Sequence, residues 1–73
     1  MKTDKAEVSR HGSRIQFVSL PRGAKVSSSA VNYALGLYTG EYEPTEVQFF
    51  YHGKPCGAYV LDGDTGYFTR VLD

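Results

Sequence analysis

In this 73-residue sequence, two histidines, one cysteine and an Asp-Thr-Gly triplet are the groups whose types and spacing could do chemistry. His11 lies in the run Arg10-His11-Gly12-Ser13-Arg14, where an imidazole could attack phosphorus while guanidinium groups hold the phosphate oxygens. Asp64-Thr65-Gly66 offers one carboxylate of the pair that a carboxylate dyad needs, and Asp62 and Asp64 alternate as calcium-binding aspartates do. His52, Cys56 and His11 are metal donors by type. Residues 23–27, GAKVS, place a lysine and a serine after a glycine.

None of these runs carries the rest of its apparatus. RHGSR resembles the opening of the histidine phosphatase signature, whose acid branch has a proline two residues after the second arginine; here Ile15 and Gln16 follow Arg14. That family also needs a large α/β domain with a second histidine and further arginines, and His52 is the one other histidine. Asp64-Thr65-Gly66 matches the aspartic protease triplet, but it sits in DGDTG between two apolar runs, with seven residues after it for supporting strands and flap. The calcium pattern lacks its remaining ligands and bidentate glutamate. His52 and Cys56 supply two ligands where a structural zinc needs four. GAKVS lacks the Gly-Lys-Ser/Thr ending of a phosphate loop, though serines at a helix start beside Arg22 and Lys25 could hold an anion weakly. The expectation is a protein that is not an enzyme and uses no metal and no cofactor. RHGSR is then a basic turn, DGDTG a hairpin turn and the serines a helix cap.

The elements that position these residues centre on 45–72, TEVQFFYHGKPCGAYVLDGDTGYFTRVL, where aromatic and β-branched runs are separated by turn residues. It reads as a β-meander: EVQFFY, a turn at HGKP, GAYVL, a turn at DGDTG, and YFTRVL. Upstream, RIQFVSL (14–20) alternates as a half-buried strand, with Ile15 and Phe17 on one face and Val18 and Leu20 on the other, and Pro21 ends it. Ser29 to Thr39 is expected to be helical: Val31, Ala34, Leu35 and Tyr38 follow helical spacing, serines cap the start, and Gly40 stands where a left-handed C-terminal cap is wanted. Val31, Tyr33, Leu35 and Leu37 also alternate as in a strand, with Gly36 unfavourable inside a helix; the caps favour the helix. Residues 1–13 hold one apolar anchor, Val8, and are expected to form a mobile N-terminal arm, ordered at most as an edge strand, with a turn at His11-Gly12. The fold class is therefore α+β: a small antiparallel sheet of three to five strands with a C-terminal meander, and one helix packed on one face. Residues 1–73 make one domain.

Composition bounds the function. A chain this short buries only about 60% of the surface its unfolded form exposes, so one small core is all it can build. A lone cysteine and a polar start point to a reduced, cytoplasmic setting, and the absence of a long apolar run to a soluble protein. Net charge is zero, yet residues 1–25 carry six Lys or Arg against two carboxylates, and residues 26–73 carry two against six. That asymmetry can steer a charged partner or draw two halves of one fold together.

Both faces of the predicted sheet are apolar, and one short helix covers one face. Several of Phe50, Tyr59, Leu61, Phe68 and Leu72, or else their opposite-face neighbours, are then left partly exposed unless the N-terminal segment folds over them. Six tyrosines suit a surface that joins an apolar body to a polar tip. A protein-binding module accounts for these features. A single-stranded nucleic-acid binder that stacks bases on the rings is the alternative, opposed by zero net charge and by the few cations near the aromatic strands.

In its overall dimensions, neutral charge, basic N-terminal segment, lone helix and tyrosine-rich sheet, the chain resembles the small RNA polymerase-binding transcription regulators of lytic phages, of the Xanthomonas phage type. The resemblance implies binding to the amino-terminal region of the polymerase β′ subunit, displacement of σ factor, inhibition of initiation, and antitermination, in the host cytoplasm. It assigns no residue, and inhibitors of host nucleases or CRISPR effectors share the same appearance. The expected mechanism is occlusion of a host surface by a monomer that contacts nucleic acid only indirectly or weakly. Expected partner contacts are Arg10 and Arg14 as orienting charges and Tyr42, Phe50 and Tyr67 as apolar anchors.

Overall fold

In the computed structural model, which describes residues 1–71, one antiparallel sheet carries one helix. The strands are β1 (Lys5–Arg10), β2 (Ser13–Ser19), β3 (Glu46–Tyr51), β4 (Lys54–Leu61) and β5 (Phe68–Val71), and the helix α1 spans Ser28–Leu37. Their order across the sheet is β2-β1-β3-β4-β5. The expected α+β architecture and C-terminal meander are present, with Leu72 outside the described residues. Among the described residues no helix is long and apolar enough to cross a membrane.

Residues 5–10 are not an arm, nor an edge strand, but an inner strand between β2 and β3. Val8 has a second anchor in Ala6, and both are fully buried, facing Val18 and Phe49 across Ala6 and Gln16 and Val47 across Val8. An alanine passes for a surface residue in sequence, yet beside the Phe49 ring it is the size that fits. Residues 1–4 are tied as well: Thr3 N–H donates to Ala24 O, Val26 N–H to Met1 O and Leu20 N–H to Asp4 O, while the buried Thr3 hydroxyl reaches Phe50 O at 2.8 Å.

The hairpins β1–β2 and β3–β4 are built alike. Each turns on a His-Gly pair with both residues at positive φ, His11 (50°) with Gly12 (83°) and His52 (52°) with Gly53 (81°). These are the dihedral signs of the type I′ turn, whose twist matches that of paired strands. In each hairpin two residue pairs follow the turn, and then the register slips: Ser9 pairs with Arg14 but Val8 with Gln16, and Phe50 pairs with Pro55 but Phe49 with Gly57. Ile15 and Cys56 are the inserted residues of two equivalent β-bulges. Because β1 and β3 are antiparallel neighbours, the pairing carries one hairpin onto the other by a pseudo-twofold axis through the Glu7–Gln48 pair.

The bulges decide which side chains enter the core, since a one-residue slip exchanges the faces of a strand. Without the slip at Cys56, Ala58 would oppose Val47; with it, Tyr59 does, and its ring meets Phe49 edge-on at 6.1 Å and 87°. The slip at Ile15 likewise sets Val18 opposite Ala6 and turns Phe17 away, opposite Glu7. Phe50 therefore lies on the other face from Tyr59, Leu61 and Phe68, and shares its face with Ala58, Val60 and Val71.

α1 settles the competition between helix and strand for residues 30–38. Ser27 caps it, its hydroxyl accepting from Ala30 N–H at 3.2 Å, and Ala30, Val31 and Ala34 bury the inner stripe against β1 and β2. Gly40 is not the left-handed cap expected of it. The helix ends at Tyr38, which is extended (φ −67°, ψ 129°), and Gln16 Oε1 accepts from Thr39 N–H just beyond. Gly40 serves a packing need instead: a Cβ there would overlap the Tyr38 ring, whose hydroxyl donates to Tyr42 O.

Gly57 packs closely against the core, because a Cβ on it would lie 2.9 Å from Cγ1 of the buried Val26. Gly57→Ala is expected to cost about 1–3 kcal/mol, read as a lowered urea midpoint with an unchanged slope. Ser27→Ala, which removes one cap acceptor, is expected to cost about 1 kcal/mol in the same experiment.

Candidate functional site

The sheet has a covered and an uncovered face. On the covered side lie Ala6, Val8, Val18, Val47, Phe49 and Tyr59, enclosed with residues of α1. The N-terminal strand widens the sheet rather than folding across its second face, so no element among the described residues covers it. That face presents Phe17, Lys5, Glu7, Phe50, Gln48, Ala58, Val60, Thr69 and Val71, as the pairing places them. It is not uniformly apolar. Glu7 and Gln48 occupy its middle, at the pseudo-twofold axis, and its apolar surface divides into an aromatic corner and an aliphatic strip on β4 and β5.

The aromatic corner is the most organised part of this face. Phe17 on β2 and Phe50 on β3 meet across β1 with ring centres 6.0 Å apart at 62°, and Phe17 remains 42% exposed. The Arg14 guanidinium lies 5.0 Å from the Phe17 ring centre and Lys5 Nζ 5.8 Å from it. Cations at such distances are drawn to the negative face of the ring. Of the residues expected from sequence, Arg14 and Phe50 thus converge, and they do so on Phe17. Phe17 and Lys5 were not among the expected contacts. The alternation of RIQFVSL, which sets Phe17 on the opposite face from Val18, is the signal for Phe17, whereas Lys5 lies in the segment expected to form an arm.

The other three expected contacts lie elsewhere. Arg10 is half-buried at the far end of β1, and its guanidinium donates to Glu43 O at 2.6 Å, next to Tyr42, which is 67% exposed. Tyr67, 74% exposed, stands on the helix side before β5. There α1 leaves β4 and β5 partly uncovered, and an open groove of about 510 Å³ runs between Val31, Asn32 and Leu35 of the helix and Tyr59, Tyr67 and Phe68. The five residues do not form one site.

The residues with catalytic spacing are taken up by turns. His11 and His52 occupy opposite ends of the sheet, each with its backbone committed to a type I′ turn: His11 N–H donates to Thr45 Oγ1, and His52 N–H to Asp4 Oδ2. In DGDTG, Gly66 N–H donates to Asp62 O and Asp64 N–H to Asp62 Oδ1, so Asp62 braces its own hairpin. Cys56 is half-buried, with its thiol 3.4 Å from Lys2 O. Among the described residues no three His, Cys, Asp or Glu side chains gather as a metal site would require.

Antiparallel pairing turns the uneven charge of the sequence into two poles along the strand direction. At the end holding Asp4, His52 and the 20–27 connection stand Lys2, Lys5, Arg22, Lys25 and Lys54, with Asp4 as the opposing carboxylate. At the other end stand Glu41, Glu43, Glu46, Asp62 and Asp64, with Arg10 and the backbone of Arg14 among them. The aromatic corner belongs to the basic end, where Phe50 pairs with Lys5.

No family model, curated protein or solved structure matches this chain.

Two outcomes check this description. Phe17→Ala is expected to cost under about 1 kcal/mol, whereas Phe49→Ala, at a site with no exposure, is expected to cost about 3–5 kcal/mol and leave little folded protein. His11→Asn, which suits the turn, is expected to keep the native circular dichroism spectrum, with no phosphomonoester turnover in either form.

Proposed function

We propose that the protein is a non-enzymatic regulator that docks through its uncovered sheet face onto a host protein machine and works by occlusion. The observation that carries this reading is the Arg14–Phe17–Phe50 cluster: two rings held edge to face on a face that no element among the described residues covers, with a cation already seated on one of them. Aromatic rings and arginine often dominate protein interfaces, the rings because they bury a large rigid area and arginine because its planar guanidinium stacks on rings and donates several hydrogen bonds at once. The charged poles at either end of the face orient an approaching partner and speed its encounter.

The machine we propose is bacterial RNA polymerase, with the amino-terminal region of β′ as the partner. The support is the resemblance in size, charge and tyrosine content noted above. On this reading the protein displaces σ factor, suppresses initiation and promotes antitermination in the host cytoplasm. Its effect is stoichiometric, saturating at one equivalent per polymerase.

The test is retention of polymerase on the immobilised protein, with release of σ followed in the same eluates. The intact protein is expected to retain core subunits and exclude σ. Arg14→Glu combined with Phe17→Ser is expected to lower capture at least tenfold, and Leu37→Ser, on the outer surface of α1, to leave it unchanged. Equal capture by the double variant, or retention of nucleic acid alone, would overturn the proposal.

A further inference from the structure

The basic end of the sheet has a construction of its own. Two hollows flank it and share a rim formed by Asp4 and His52. One, of about 610 Å³, is lined by Lys2, Thr3, Arg22, Gly23, Tyr51 and His52. The other, of about 430 Å³, opens on the uncovered face between Lys5, Phe17, Phe50, His52 and Gly53. Tyr51 and His52 meet edge-on on that rim, with ring centres 4.1 Å apart, and Tyr51 is 37% exposed. Four aromatic rings thus lie within two adjoining hollows, and exposed Lys2, Lys5 and Arg22 line the same two.

We infer that this basic end binds a short single-stranded nucleic acid, with bases against Tyr51, His52 and Phe50 and with phosphates drawn to Lys2, Lys5 and Arg22. The occupant follows from the combination. Clustered cations alone would attract any polyanion, whereas exposed rings beside them add a stacking surface that an unstacked base fits and a carboxylate does not. The single carboxylate in the group, Asp4, is held by the His52 backbone N–H at 3.2 Å, so it belongs to the turn as much as to the ligand surface. In sequence, zero net charge and the few cations near the aromatic strands oppose such a site. The fold answers the second point, because residues 2–5 run beside Phe50, Tyr51 and His52, and it gathers cations locally at this end within a neutral chain. The inference stands apart from polymerase binding: its hollows adjoin the aromatic corner and share Phe50 and Lys5 with it, but Lys2, Arg22, Tyr51 and His52 lie outside that corner, and it needs no polymerase.

The test is the fluorescence anisotropy of a labelled oligothymidylate of about twelve nucleotides, within the site sizes such surfaces cover, titrated with the intact protein at several salt concentrations. Binding is expected at low salt, weakening with a log–log slope of about −2, as contact with three phosphates requires. Lys2→Glu combined with Arg22→Glu is expected to weaken it at least tenfold and flatten the slope. His52→Asn keeps the Xaa-Gly turn while removing a ring, and is expected to weaken binding several-fold with the fold intact. Polymerase capture by His52→Asn is expected to be unchanged, which separates a failure here from a failure of the docking proposal. Absence of oligonucleotide binding at low salt would overturn the inference. Equal binding of polyglutamate, with no effect of His52→Asn, would overturn it too and assign the basic end to acidic polypeptides.

Discussion

One ten-residue helix can cover only one face of a five-stranded sheet, and the organisation of this molecule follows from that shortage. The covered face is made of the smallest and largest side chains in register: Ala6 against Phe49, Val8 against Val47, and Gly57 beneath Val26. Ala30 and Ala34 let the helix approach closely. What remains is a second face whose side chains are partly open to solvent. Its middle is polar and its corner aromatic, so the exposed apolar surface is a patch rather than a plane. Such a patch, with charge at its border, fits a protein that works by contact.

The two bulges give this arrangement its chirality of content. Each follows a His-Gly turn after the same two pairs, and each moves a large ring to the side where it is used: Tyr59 inward to meet Phe49, and Phe17 outward to meet Phe50. A bulge-free β3–β4 hairpin would place Ala58 under the helix and Tyr59 on the open face, exchanging a large buried area for a small one. The pseudo-twofold axis also explains the electrostatics. It sends equivalent turns to opposite ends of the sheet, so loops of different composition gather at each end and a neutral chain acquires a basic and an acidic pole.

Much of the architecture was legible because its signals are local. The His-Gly and DGDTG turns, the alternation of RIQFVSL and EVQFFY, and the serine cap all act within a few residues of themselves. The N-terminal strand was not legible, because its anchors are one valine and one alanine and its stability comes from partners far along the chain, Phe49 and Val47 above all. Nor was the sorting of rings between faces, since a bulge leaves little trace in composition; Gly57, two residues before Tyr59, is the one nearby hint of a close approach. The candidate contacts divided in the same way. Arg14 and Phe50 come together because both flank the outward-turned Phe17, whereas Arg10, Tyr42 and Tyr67 have the charge or ring expected of a contact but no sequence signal that places them on one surface.

That the uncovered face is the docking surface is tested most directly by hydroxyl-radical footprinting of the free protein and of its complex with core polymerase, read at single aromatic rings. The account predicts that oxidation of Phe17 and Phe50 falls sharply in the complex while Tyr33, on the outer side of the helix and 47% exposed, reacts as before. Protection of Tyr33 with Phe17 and Phe50 as reactive as in the free protein would contradict it.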